Sequence, residues 1–176
     1  MTKMFHAFYH FECQLFQKVN RHFDKRLLNL FFRSITHFGG ARLTIAATLL
    51  LLLFSPHSTS LTAVSSALAL TASHIPVHIA KQLLPRKRPY LTLDQIMVLP
   101  NPLQDPSFPS GHTTAIFSVI IPYVLFMPSL AVILLPMALC VGLSRIYLGL
   151  HYPSDVIAGG VLGALTGAGS FYLLCM

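Results

Sequence analysis

Apolar residues in this chain come in blocks, not in the alternating or one-faced patterns of soluble strands and helices. Residues 43–54, 61–80, 110–127, 130–150 and 156–174 are dominated by Leu, Ile, Val, Ala, Phe and Gly. A membrane-crossing helix needs about 20 apolar residues. The last four blocks approach that length, and 43–54 does so only with residues 39–41 added. The breaks between blocks are short: a polar turn at 55–60 with Pro56, and Pro128-Ser129 between the third and fourth. The pattern predicts an all-α integral membrane helical bundle with five spans.

Two segments depart from it. Residues 1–41 mix aromatics with Lys18, Arg21, Lys25 and Arg26, and Leu27, Leu28, Leu30, Phe31, Ile35 and Phe38 fall near helical spacing. This predicts an amphipathic helix lying in the membrane interface and ending at Gly39-Gly40. Residues 81–109 form the one long connection and hold six prolines; within it, 91–99 is expected to form a short helix on the membrane surface.

Composition sharpens this picture. The chain has 176 residues, 54% of them hydrophobic and 10% charged, too little polar surface for a water-soluble globule. A single domain over 1–176 is expected. The net charge of +7 does not indicate nucleic acid, because the cations lie before residue 43, at 81–88 and at Arg145, with no basic face. Lipid headgroups or a phosphorylated substrate suit that distribution better. Cys13, Cys140 and Cys175 are too dispersed for a disulfide framework or a zinc site. His74 and His78 are four residues apart beside Pro76, but no carboxylate or thiol lies near them to complete a metal site.

Three polar islands interrupt the apolar chain: Lys81 with Arg88-Pro89, then Pro109-Ser110-Gly111-His112, then Ser144-Arg145 with His151 and Asp155. Counting crossings brings all three to one end of the bundle. Lys81, Arg88 and Arg145 offer positive charge, and arginine adds two-point contact to phosphate oxygens. Ser110 and Gly111 open a helix whose N–H groups also attract an anion; Gly111 lets the backbone approach closely. Asp155, four residues after His151, can orient one ring nitrogen and leave the other as a nucleophile. His112 can then protonate a leaving oxygen.

Lys81-x6-Arg88-Pro89, Pro109-Ser110-Gly111-His112 and Ser144-Arg145-x5-His151-x3-Asp155 resemble the three-part signature of the type 2 phosphatidic acid phosphatase superfamily. The signature occupies residues 81–155, and every fixed position is filled. The resemblance implies a metal-independent lipid phosphatase working through a phosphohistidine. His151 would be the nucleophile, Asp155 its orienting group and His112 the acid, with Lys81, Arg88, Ser110, Gly111 and Arg145 holding the phosphoryl oxygens. Within the family, undecaprenyl diphosphate is the favoured substrate; phosphatidylglycerophosphate or phosphatidic acid is the alternative, and a non-catalytic lipid-binding protein the alternative of another class. The lipid-phosphatase branch often has six spans, so five or six are expected. It also places the site on the extracytoplasmic face of the cell membrane, whereas the Lys/Arg bias of 1–42 points the other way. Gly159, Gly163 and Gly167 recur every four residues and predict close helix packing, within the chain or between two copies.

Overall fold

A computed structural model describes residues 2–176, with side chains from His6 onward; Met1 and the side chains of residues 2–5, part of the N-terminal segment, lie outside the described residues. Seven α-helices follow one another: α1 Thr2–Asn20, α2 Arg26–Ile35, α3 Ala41–Phe54, α4 Ser60–Leu83, α5 Gly111–Phe126, α6 Ala131–Tyr147 and α7 Pro153–Cys175. No strand occurs among the described residues. Helices α4, α5 and α7 make the closest three-way packing, with α6 against α5 and α3 along α4.

The outer surface is apolar. Leu53 on α3, Val132 on α6 and Leu173 on α7 are each at least 74% exposed, as suits helices solvated by hydrocarbon. Inside, small hydroxyl side chains sit between helices: Ser66 Oγ donates to Val119 O at 2.9 Å and Ser65 Oγ to Ser170 O at 3.3 Å. Both serines are fully buried, and these bonds satisfy polar groups where water cannot.

Three segments are long and apolar enough to cross a membrane: His57–Leu83, Pro128–Tyr147 and Pro153–Cys175. The pair Arg26–Gly39 and Ala41–Phe54, bent by 52°, would add a fourth. Helix α5 is apolar but has 16 residues, about 24 Å at 1.5 Å per residue against a hydrocarbon core of roughly 30 Å. The five expected apolar blocks thus all form helices, of which three reach full spanning length alone.

The glycine stripe of α7 is used inside the chain. A methyl carbon on Gly159 would stand 2.6 Å from Ser110 O, on Gly163 2.8 Å from Phe117 Cβ, and on Gly167 2.9 Å from Ile121 Cβ. Bare backbone at these three positions is what lets α7 lie directly on α5.

One sequence expectation is refined and one corrected. The expected amphipathic helix forms as α2, Arg26–Ile35, and runs on through a 3-10 turn Thr36–Gly39; ahead of it, across a turn at 21–25, lies a further helix, α1. Glu12, Phe16, Asn20, Phe32 and Thr36 are buried against the rest of the protein. The 91–99 segment forms no helix: after a 3-10 turn Pro89–Leu91 it continues irregularly, with Gln95 at φ 58° and Asn101 at φ 54°. A distant partner overrides the local preference. Asn20 donates from its amide to Met97 O (2.8 Å) and Tyr147 O (2.9 Å) and accepts from Met97 N–H (3.0 Å). Val98 and Leu99 pack on the Phe32, Tyr147, Leu148 and Leu150 cluster.

Candidate active site

Both ends of the 81–109 connection, the turn after α6 and the starts of α5 and α7 converge at one end of the bundle. Helix α6 stops because Gly149 turns at φ +79°; a Cβ there would also stand 2.6 Å from Met97 O. The amides of Leu150 and His151 then bond back to Arg145 O at 3.1 and 3.2 Å, which seats His151 under the end of α6. Pro153 starts α7, and Asp155 in its first turn accepts the Tyr152 N–H on Oδ2 at 2.9 Å. Asp155 therefore both caps its helix and turns its carboxylate toward His151. The Ser110 N–H donates to Asp155 O at 3.0 Å, which fixes the start of α5 against the start of α7.

His151 is 2% exposed. Arg88 Nη1 donates to its Nε2 at 3.2 Å. An arginine can only donate, so Nε2 carries the lone pair and Nδ1 the proton, an assignment that follows from the bonding network. Nδ1 faces Ser107 Oγ at 3.5 Å and Asp155 Oδ2 at 3.7 Å. The latter is too long for a hydrogen bond; Ser107, itself bonded to Asp155 Oδ2, stands beside both groups. Burial pushes the His151 ring down to about 4, with Arg145 and Arg88 adding to the shift and Asp155 opposing it. The imidazole is neutral at pH 7, the state a nucleophile needs.

The cations are held in different ways. Arg88, 1% exposed, donates from Nε to Asp105 O (2.7 Å), from Nη2 to Asp105 Oδ1 (2.8 Å) and from Nη1 to Leu150 O (2.8 Å). Lys81 pairs with the other Asp105 oxygen. Burial favours the neutral form of Asp105, but Lys81 and Arg88 outweigh it and hold the carboxyl below its usual range. Arg145, 3% exposed, donates from Nη1 to Thr36 Oγ1 at 2.8 Å, and its Nε and Nη2 have no hydrogen-bond partner among the described residues. Four cations (Lys81, Arg86, Arg88 and Arg145) thus meet three carboxylates (Glu12, Asp105 and Asp155), and Arg145 is the one without a carboxylate.

The N-terminal region forms one wall. A Cβ on Gly39 would stand 2.6 Å from His112 O, and one on Gly40 3.6 Å from His112 Nε2. These glycines end the helical run of α2 and its 3-10 turn, and let the chain pass close over the start of α5. A Cβ on Gly111 would meet nothing within 4 Å, so this helix start opens onto free space. Ser110 Oγ bonds Thr113 Oγ1 at 2.9 Å and makes no bond to the helix backbone, so Ser110 is not an ordinary side-chain cap. Ser144 Oγ donates to Val141 O at 2.5 Å, inside its own helix. His74 bonds Leu70 O and His78 bonds Gln82, both within α4.

Sequence reasoning missed Glu12, Arg86, Asp105 and Ser107. Arg86 carried a usable signal. Pro85 and Pro89 force extended backbone before them, where neighbours alternate in direction; accordingly Arg88 is buried, Arg86 half-buried and Lys87 between them exposed. The same extended run bonds Ser107 N–H to Arg86 O at 2.8 Å.

Residues 62–175 match the PAP2 superfamily. The chain belongs to that superfamily. The PAP2 match begins inside α4, so α1, α2 and α3 lie outside it. The bacitracin transport permease protein BcrC of Bacillus licheniformis is 42% identical over 79 residues, 45% of this chain and 39% of that protein's length. An undecaprenyl-diphosphatase of Sulfolobus acidocaldarius is 28% identical over 155 residues, 88% of this chain and 74% of that one. The crystal structure of Aquifex aeolicus LpxE superposes with a TM-score of 0.79 at 26% identity, covering 90% of this chain and 93% of that one. An all-helical membrane protein of the PAP2 superfamily is the description these findings support together with the fold.

Proposed function

We propose that this protein is a membrane phosphatase that releases phosphate from a lipid phosphate or diphosphate through a phosphohistidine on His151. The observation that carries the reading is a buried imidazole with its lone pair on Nε2, bonded to Arg88, at the same end of the bundle as the buried Arg145, whose Nε and Nη2 have no partner among the described residues. In the first step the Nε2 lone pair forms the P–N bond while the P–O bond to the lipid breaks. The leaving oxygen takes the bond's electron pair and a proton from His112. Arg145, Arg88, Lys81, the Ser110 hydroxyl and the Gly111 N–H hold the three other oxygens; Lys81 and Arg88 exchange Asp105 for phosphate as they do so, and Arg88 Nη1 leaves Nε2. Water then attacks phosphorus, the P–N electron pair returns to His151, and His112 takes the water proton.

A lipid leaving group has room on the His112 side. An apolar cleft of about 370 Å³ runs between α3, α5 and α6, lined by Phe38, Thr44, Ala47, Ile116, Tyr123 and Met137. Phe38 and Thr44 flank Gly39 and Gly40, the residues that abut His112. Among substrates, undecaprenyl diphosphate is favoured by the undecaprenyl-diphosphatase relative, whose likeness extends over most of both chains. A lipid A 1-phosphatase of Rhizobium johnstonii, 43% identical over 58 residues, keeps glycolipid phosphates among the alternatives, beside phosphatidylglycerophosphate and phosphatidic acid.

The purified protein should release phosphate from one of these lipids in detergent with EDTA present, undecaprenyl diphosphate fastest. Release abolished by EDTA and restored by a divalent cation would overturn the metal-independent reading. Release from none by a folded protein would favour a lipid-binding role. The site is proposed to face the extracytoplasmic side. A membrane-impermeant thiol reagent should then label Gln104→Cys, an exposed loop position beside Asp105, in intact cells; labelling only after permeabilisation would reverse the orientation.

A further inference from the structure

The carboxylate that faces His151 is tied to a second carboxylate on a distant helix. Asp155, fully buried, uses Oδ2 for Ser107 Oγ and the Tyr152 N–H, and Oδ1 for Arg86 Nη1 at 2.9 Å. Arg86 Nη1 also donates to Ser154 Oγ at 2.7 Å, and Nη2 donates to Glu12 Oε1. The guanidinium lies over the Tyr152 ring, 3.8 Å from its centroid. Glu12 Oε2 accepts from Ser154 Oγ at 2.5 Å and from the Ser154 N–H at 3.4 Å. Glu12 is 4% exposed and sits on α1, outside residues 62–175.

The charge arithmetic gives this arrangement a consequence for the reaction. An arginine bound to Asp155 alone would cancel the negative charge that His151 needs as its ring becomes cationic on phosphorylation. With Glu12 on the other prong, the trio of Glu12, Arg86 and Asp155 keeps one net negative charge, and the fork fixes Asp155 from behind. The other charged or titratable groups around His151 are Arg88, Arg145 and His112, none of which supplies negative charge. A buried carboxylate is costly without a partner, and its only ion-pair partner among the described residues is Arg86.

We propose that Glu12 is a positioning residue for the phosphoryl-transfer step, acting through Arg86 to keep Asp155 aligned and negative toward Nδ1 of His151. The inference rests on the phosphohistidine reading above. Tyr9 and Phe16 of the same helix pack on the Tyr152 ring at centroid distances of 6.0 Å, so Glu12 is not the sole contact docking α1 there.

Two variants separate charge from shape. Glu12→Gln keeps the length and one acceptor but loses the charge; Glu12→Asp keeps the charge but is one carbon shorter. The expected result is a kcat lowered about tenfold in Glu12→Gln, the size typical of an outer-shell partner, with KM within about twofold and thermal unfolding unchanged. Glu12→Asp should recover most of the rate. The reverse order, with Gln as active as wild type and Asp impaired, would show a role in shape alone and overturn the proposal. If Glu12→Gln does not fold, Arg86→Lys serves: it keeps the charge but cannot fork to both carboxylates, and an unchanged kcat would equally overturn it. Orthovanadate affinity, read from the shift in thermal unfolding, should follow the same order without a lipid. An active wild type with the wrong order removes only the role of Glu12. A wild type with neither turnover nor a vanadate shift removes the phosphohistidine reading and this inference together.

Discussion

Replacing His151 with alanine is expected to lower phosphate release by about 10⁴-fold or more, because no other group is placed to form the P–N bond. Arg88, Arg145 and the start of α5 remain, so the variant should still bind substrate, and KM should change far less than kcat. The ring is buried and its Nε2 accepts from Arg88, so its loss frees one Arg88 donor while the bonds to Asp105 and Leu150 persist. Thermal unfolding in detergent checks that the fold survives. Radiolabelled phosphate from the lipid should appear on wild-type protein as an acid-labile adduct and be absent from the variant. A well-folded alanine variant with normal turnover would sink the mechanism.

The same residue sets a pH dependence whose sign is fixed by its burial. A histidine with an ordinary value near 6.5 is pushed down to about 4 in the fold. Because the proposed attack needs a neutral His151, its contribution to the acid limb of kcat/KM should fall near pH 4. Between pH 6.5 and 4 the unfolded chain takes up the proton and the folded one does not. His151 therefore contributes stability that is present above pH 6.5 and lost as pH falls toward 4.

The parts of this protein legible in the sequence are those encoded by uninterrupted neighbours. Blocks of apolar residues gave the helices α3 to α7, since lipid-facing and core-facing sides are both apolar and need no periodicity. The three polar islands stood out because charge inside an apolar chain is rare. Glu12 was hidden for the opposite reason. It lies among Phe8, Phe11 and Phe16 in a segment that already mixes charge with aromatics, and its meaning depends on Arg86, 74 residues away. Asp105 carries no local mark within the 81–109 connection, yet it holds Lys81 and Arg88 together. The failed helix at 91–99 has the same origin: Asn20 takes up the Met97 backbone groups that a helix would have used. Local pattern located the elements and the polar islands that gather at one end of the bundle; the contacts between α1 and the rest had no local signature.

Arg145 offers a test in which stability and activity should move in opposite directions. Its guanidinium is 3% exposed, bonded once to Thr36, and its Nε and Nη2 have no partner among the described residues. Each buried unsatisfied donor costs about 1–3 kcal/mol, and exchanging a buried charge for a well-packed apolar side chain is often neutral or stabilising. Arg145→Met should therefore unfold at the same temperature as wild type or a few degrees higher, at about 2–4 °C per kcal/mol for a chain of this size. Catalysis should fall about 10²–10³-fold, the usual loss when one preorganised donor to a developing oxyanion is removed. Arg145→Lys should also be impaired, since a single ammonium cannot reproduce the two-point contact. Orthovanadate should raise the unfolding temperature of wild type and leave Arg145→Met unmoved, because the anion supplies the partner that the folded protein does not. A methionine variant that unfolds earlier yet turns over normally would assign Arg145 to the fold and not to the phosphate. The opposed result, a sturdier and nearly inactive protein, would mean that this arginine is kept at a cost in stability for the substrate it meets.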